Sequence, residues 1–230
     1  MRRWSVLSVL FVFLMTSWVD TVQAQRRQES VRRDAGSARA KTDERLELFA
    51  RHRADRIQEL DLSRARLSTR SLQLLPKFDA LRRLDLSGTR LTPSGAQYLA
   101  YLKGLRHLDL SNTGMTPSSA QYLAYLKNLR TLDLSYNDLS PSSAQYLAYL
   151  KNLRRLDLSH TAITASSAQY FPYMKSLRRL DVSRTELGNN AIQYLVQMKS
   201  LRVLDVRGTR IDDRGIERLY RELPTCDIIY

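Results

Sequence analysis

From Ile57 onward the chain repeats itself every 24 residues, and this period constrains the fold more than any other feature. Units begin at Ile57, Leu81, Leu105, Leu129, Leu153, Leu177 and Leu201. Three consecutive copies read LRRLDLSGTRLTPSGAQYLAYLKG (81–104), LRHLDLSNTGMTPSSAQYLAYLKN (105–128) and LRTLDLSYNDLSPSSAQYLAYLKN (129–152). Seven such copies describe a stacked array in which no unit can bury its own apolar face without a neighbour.

Each unit mixes two hydrophobic periods. Leu81-x-x-Leu84-x-Leu86 alternates and predicts a short strand with Leu84 and Leu86 inward. Thr92 then suits an N-cap and Pro93 a first helical position, while Ala96, Leu99 and Leu102 share one helical face. Lys103 falls at the negative end of the helix dipole, and Gly104, Asn128 and Asn152 are read as C-caps. Strand, turn, helix and turn thus recur. Stacked strands make one parallel sheet and the wider helices an outer layer, so the sheet is expected on the concave side.

The L-x-x-L-x-L-x-x-N/C-x-L pattern resembles the leucine-rich repeat proteins. Thr89, Thr113, Asn137, Thr161, Thr185 and Thr209 hold the Asn/Cys position, with Ala65 there in the first unit. The Thr and the short helix are similar to the ribonuclease-inhibitor-like subset found in many bacterial proteins. The resemblance covers Ile57 to Tyr230. It implies an α/β fold, a right-handed leucine-rich repeat solenoid with a parallel concave sheet and outer helices, and it is nearly silent on function. Leu223 to Ile228 is read as a truncated eighth strand, with Cys226 and Ile228 in leucine slots and Asp227 on the outer face.

What precedes the repeats is organised differently. Residues 1–24 carry a basic start (Arg2, Arg3), an apolar run from Trp4 to Val19 and the small-residue site Val22-Gln23-Ala24, the layout of a secretory signal peptide. An uncleaved membrane anchor is the competing interpretation, and a membrane partner is expected only in that case. Residues 25–41 are Arg-rich and aperiodic, hence expected to be disordered. Residues 42–56 are expected to form a capping helix, N-capped by Thr42, with Leu46, Phe49, Ala50, Ala54 and Ile57 on its buried face. The domain plan is therefore a signal peptide (1–24), a basic segment (25–41), a capping helix (42–56), seven repeats (57–222) and a capping strand (223–230). A secreted or periplasmic location follows.

Composition narrows the function classes. One cysteine excludes a disulfide framework and a cysteine-based zinc site. Free Cys usually packs as a small hydrophobe, which is the role expected of Cys226. The sequence holds no Gly-rich phosphate loop, no G-x-S-x-G and no H-E-x-x-H, so neither an enzyme nor a cofactor or metal is expected. The 37 Lys and Arg against 23 Asp and Glu leave +14, which suits acidic partners. Specific nucleic-acid binding is not expected of an exported chain.

Three residue sets compete for a role. Asp61, Asp85, Asp109, Asp133, Asp157, Asp181 and Asp205 recur at the fifth position, with Asp227 expected as an eighth rung. They are taken as framework, with Arg82, Arg106, Arg130, Arg154, Arg178 and Arg202 offsetting their mutual repulsion. Positions that vary from unit to unit are the better candidates for specificity: Arg83, His107, Tyr136, Arg155, His160, Arg179 and Arg184 form a basic and aromatic concave patch of hot-spot residue types. On the helix side, Tyr98, Tyr122, Tyr146, Tyr170 and Tyr194 fall on the flank. Tyr101, Tyr125, Tyr149 and Tyr173 point outward beside lysines, an alternative contact surface unless they are relics of unit duplication.

The leading expectation is a non-enzymatic module that binds a protein partner of acidic character through its concave face. One alternative is salt-sensitive attachment to an anionic envelope or matrix polymer through the basic segment and the Lys/Tyr convex face. A second is a protein inhibitor of an enzyme.

Overall fold

A computed structural model of the chain describes residues 39–230. The signal-peptide reading and most of the basic segment lie outside these residues. Eight three-residue strands form one parallel sheet in strict chain order: β1 Glu59–Asp61, β2 Arg83–Asp85, β3 His107–Asp109, β4 Thr131–Asp133, β5 Arg155–Asp157, β6 Arg179–Asp181, β7 Val203–Asp205 and β8 Asp227–Ile229. Register is unit to unit, so Leu84 pairs with Leu108, Leu132 and on through Leu204. The result is the solenoid, with its sheet on the concave side and its helical segments outside.

The alternation places Leu84, Leu86, Leu108, Leu110, Leu132 and Leu134 in the interior, each at most 2% exposed. Ala96, Leu99 and Leu102 cover them from the outer layer, and one continuous core runs from Leu46 to Ile228. Outer segments begin as a turn of α-helix and commonly end as 3₁₀-helix, as in Pro93–Ala96 followed by Gln97–Tyr101. A 3₁₀ turn rises about 2.0 Å per residue against 1.5 Å, so it spans the unit's outer edge with fewer residues. Thr92 caps the second unit's helix by accepting from the Gly95 amide at 3.1 Å, with Pro93 at the first position.

Several sequence expectations need correction. The N-terminal helix runs Arg39–His52, so Thr42 lies inside it rather than capping it, and the last residues of the basic segment are helical. Asp43, freed from a first-turn role, accepts hydrogen bonds from Ser68 Oγ at 2.7 and 2.8 Å and from Ser71 Oγ. Leu46 is buried and Phe49 and Ala50 pack on the core, while Ala54 and Ile57 do so from beyond the helix.

Gly104, Asn128 and Asn152 are not left-handed C-caps, for none has a positive φ. The asparagines instead tie units together: Asn128 donates to the Lys103 carbonyl and Asn152 to the Lys127 carbonyl, each at 2.9 Å. At the other end, β8 pairs Asp227 with Val203, Ile228 with Leu204 and Ile229 with Asp205. Asp227 is therefore not an eighth rung of the aspartate ladder. Cys226 lies buried just before the strand, because β8 keeps the 24-residue offset of the other strand pairs, whereas the pattern Leu223 to Ile228 starts two residues too early.

Candidate functional site

The concave sheet carries three rows, built by the third, fifth and eighth positions of each unit. The fifth-position aspartates are framework. In each unit Oδ1 accepts the backbone amide two residues on, from Ser63 at 3.0 Å through Ser135 and Ser159 at 2.9 Å to Arg207 at 3.2 Å. Ser111, Ser135 and Ser183 add their hydroxyls at 2.7 Å. These bonds turn the chain out of each strand and occupy the carboxylates.

Burial pushes the Asp133 and Asp157 carboxyls above the usual range, and neighbouring aspartates add to the shift against the serine hydrogen bonds. Asp205 is different. Burial raises it, but the hydrogen bonds and charge of Arg207 outweigh that and hold it below the usual range. Arg207 Nη2 approaches Asp205 Oδ2 at 2.6 Å. Among the described residues none of the second-position arginines makes an ion pair with the ladder. Arg82 instead donates to the carbonyls of Leu81 at 3.2 Å and Gly104 at 3.3 Å, at the turn between helix and strand.

In the third-position row, Arg83, Arg155 and Arg179 are exposed and His107 is half-buried. Arg83 lies 3.6 Å from Glu59. Arg155 and Arg179 are register partners on β5 and β6, and neither has an ion pair among the described residues. Burial, then the charges of Arg83 and Arg130, hold the His107 imidazole below its usual range.

The eighth position varies in sequence as if it were unconstrained, and the backbone shows otherwise. Arg64, Asn112, Tyr136, His160 and Arg184 all have φ between 52° and 57°, and Gly88 and Gly208 have 64° and 66°. This slot is left-handed in every unit, so each non-glycine residue there bears a conformational cost. The variation from unit to unit includes two glycines because glycine is what the backbone prefers.

Side chains in this slot lean toward the next unit. Tyr136 stacks on His160 with centroids 4.0 Å apart and rings 16° from parallel. A Cβ added at Gly88 would meet Arg64 Cγ at 3.1 Å, and one at Gly208 would meet Arg184 Cγ at 3.2 Å. Sequence reasoning missed the left-handed slot, although Gly88, Asn112 and Gly208 sharing one repeat position was its signal.

The structure thus brings Tyr136, His160, Arg155, Arg179 and Arg184 onto three consecutive units, while Arg83 and His107 lie two and one units away from Tyr136. On the outer layer, Tyr101, Tyr125, Tyr149 and Tyr173 are 56–65% exposed. Tyr98, Tyr122, Tyr146, Tyr170 and Tyr194 are half-buried against the core. Lys127 Nζ sits 5.0 Å over the Tyr149 ring and Lys151 Nζ 5.7 Å over Tyr173. Cys226 is buried, and burial pushes its thiol up to about 11, which leaves it a packing residue at neutral pH.

A family model described as a leucine-rich repeat region matches residues 62–226. An internalin C2 from Listeria monocytogenes is similar in structure, with a TM-score of 0.62 and 22% identity over 76% of this chain and 70% of that one. A leucine-rich repeat protein from Leptospira interrogans gives a TM-score of 0.53 and 20% identity over 76% of this chain and 49% of that one. No curated protein matches the sequence significantly.

Proposed function

Because the chain belongs to the leucine-rich repeat family, whose members are generally non-enzymatic protein-binding modules, we propose that it is an exported binding protein whose recognition surface is the concave sheet. One observation carries this: the carboxylates of that face are engaged by their own backbone, whereas Arg155 and Arg179 are exposed on adjacent strands without ion pairs among the described residues, and the preceding unit exposes the ring of Tyr136. The face therefore offers net positive side chains and an aromatic on a rigid sheet. A partner presenting carboxylates gains charge-assisted hydrogen bonds there, and little ordering entropy is lost.

The test is site-specific photo-crosslinking. A photo-reactive residue at position 155 is expected to capture a discrete acidic protein at high salt, whereas one at position 101 does not. Arg179→Glu is expected to abolish the capture. Equal capture from both positions would refute the concave assignment.

A further inference from the structure

The turns that lead from each helical segment into the next strand carry charge that the concave face does not explain. They read YLKGLR (101–106), YLKNLR (125–130), YLKNLR (149–154) and YMKSLR (173–178), with QMKSLR at 197–202. In each, the leucine before the arginine is buried and anchors the turn, while the lysine and arginine on either side are exposed. Backbone bonds run through the arginines themselves: the Arg130 amide donates to the Arg106 carbonyl at 2.8 Å and the Arg154 amide to the Arg130 carbonyl at 2.8 Å. Successive arginines are thus ladder neighbours at the strand spacing of about 4.8 Å.

Like charges at that spacing repel, and their hydrogen-bond partners here are neutral: Lys151 donates to the Tyr173 carbonyl at 3.1 Å, Lys199 to the Glu222 carbonyl at 2.9 Å and Arg202 to the Leu201 carbonyl at 2.9 Å. The turns contain no Asp or Glu, and among the described residues none of their lysines or arginines makes an ion pair. Two cations per unit therefore line one edge of the solenoid for five units, in rows of constant pitch. Exposed tyrosines lie two residues before the first four lysines and border them. A folded protein seldom presents anions at a fixed short interval. An extended polymer with a charge on each residue does.

We infer that this edge is a binding track for a linear anionic polysaccharide. The tyrosines favour a glycan over a single-stranded nucleic acid. Lys127 and Lys151 already occupy one face of the Tyr149 and Tyr173 rings, which takes up a surface that stacked bases would use. The phenol hydroxyls remain, and these hydrogen-bond to sugar hydroxyls. The track is distinct from the concave face and stands or falls independently of it.

The experiment titrates the full chain with a polyuronate, polygalacturonate, by calorimetry, with retention on heparin-agarose as a second readout. The variant K127Q/R130Q/K151Q/R154Q is expected to bind about tenfold or more weakly, to elute at lower salt and to show a flatter salt dependence. Its melting temperature should match the parent, and the pairwise variants K127Q/R130Q and K151Q/R154Q carry the same test at a smaller loss. Y125A/Y149A is expected to weaken binding several-fold. The Arg-rich N-terminal segment is present throughout, so undiminished binding by the quadruple variant would overturn the assignment. So would binding of poly-glutamate or of a single-stranded oligonucleotide as tight as that of polygalacturonate.

Discussion

The eighth position of each unit shows how one backbone requirement governs residues of unrelated chemistry. Arg184 and Gly88 occupy the same left-handed slot in different units, and only the glycine adopts it without cost. Gly88→Ala is expected to destabilise by about 1–2 kcal/mol. Arg184→Gly should stabilise by about 1 kcal/mol, provided Arg184 is there for contact rather than for folding. Chemical denaturation of both variants tests this, and a loss in Arg184→Gly would mean its contact over Gly208 outweighs the strain.

The aspartate row makes a second residue-scale prediction. The folded-state pKa of Asp133 is raised, so its ionised form disfavours the fold above that pKa, and the cost disappears as pH falls through it toward the unfolded value. The substitution Asp133→Asn removes the charge and keeps an oxygen acceptor for the Ser135 amide. That variant should therefore melt higher than the parent near pH 7, and the difference should close near pH 4. A constant difference across that range would show that charge is not the cause.

At the scale of the element, each strand is only three residues long, and its stability comes from packing rather than from its own ladder. Leu132 in β4 and Leu134 just after it both point into the core, at 1% and 0% exposure. Leu134→Ala should cost about 2–5 kcal/mol through a cavity that flanking units cannot close. Urea titration measures it, and an unchanged midpoint would contradict the core assignment. Asn137 serves the same unit differently. It accepts the amides of Thr113 at 3.2 Å and Met115 at 2.8 Å and donates to the carbonyl of Leu110 at 2.7 Å, a bridge to the previous unit that a threonine's single hydroxyl cannot make.

Repeat period, strand phase and buried set were legible because each is a side-chain pattern copied many times. Backbone-determined features were less so. The left-handed slot hides behind Arg, Tyr and His, and only the glycines and Asn112 hint at it. The phase of β8 is ambiguous in the sequence because Cys226 and Ile228 are both apolar, and either could stand in a leucine slot; the ladder decides by pairing Ile228 with Leu204. The arginines before each strand are close to the aspartates in sequence, but the Arg82 side chain meets the carbonyls of Leu81 and Gly104 instead. For the concave patch, sequence variation pointed to one face without separating contact residues from strained ones.

On the scale of the whole molecule, a solenoid has two ends, and each end exposes what every internal unit buries. At the C-terminal end the solution is local: Tyr220 donates to the Ile228 carbonyl at 3.2 Å and packs edge-on against Tyr230 at 6.0 Å. At the N-terminal end a separate element is needed, because the first unit has no predecessor. Leu46 enters the core at 2% exposure, Asp43 binds the capping serines Ser68 and Ser71 of the first outer helix, and Glu47 pairs with Arg70.

These contacts join the cap to the outer layer of the first unit, whereas among the described residues no strand pairs with the outer edge of β1, which is short and carries polar residues such as Gln58 and Glu59. Loss of the cap should thus open the outer layer first. A chain beginning at Ile57 is expected to unfold at lower denaturant and to self-associate through the uncovered first unit. Leu46→Asp should approach the same behaviour at neutral pH, since an unpaired carboxylate is costly at that site. Asp43→Asn, which keeps an oxygen acceptor for Ser68 and Ser71, should lose much less. Light scattering and denaturation of the three chains measure this order. If the truncated chain were as stable and monomeric as the parent, the helix would be an appendage and the first repeat would be its own cap.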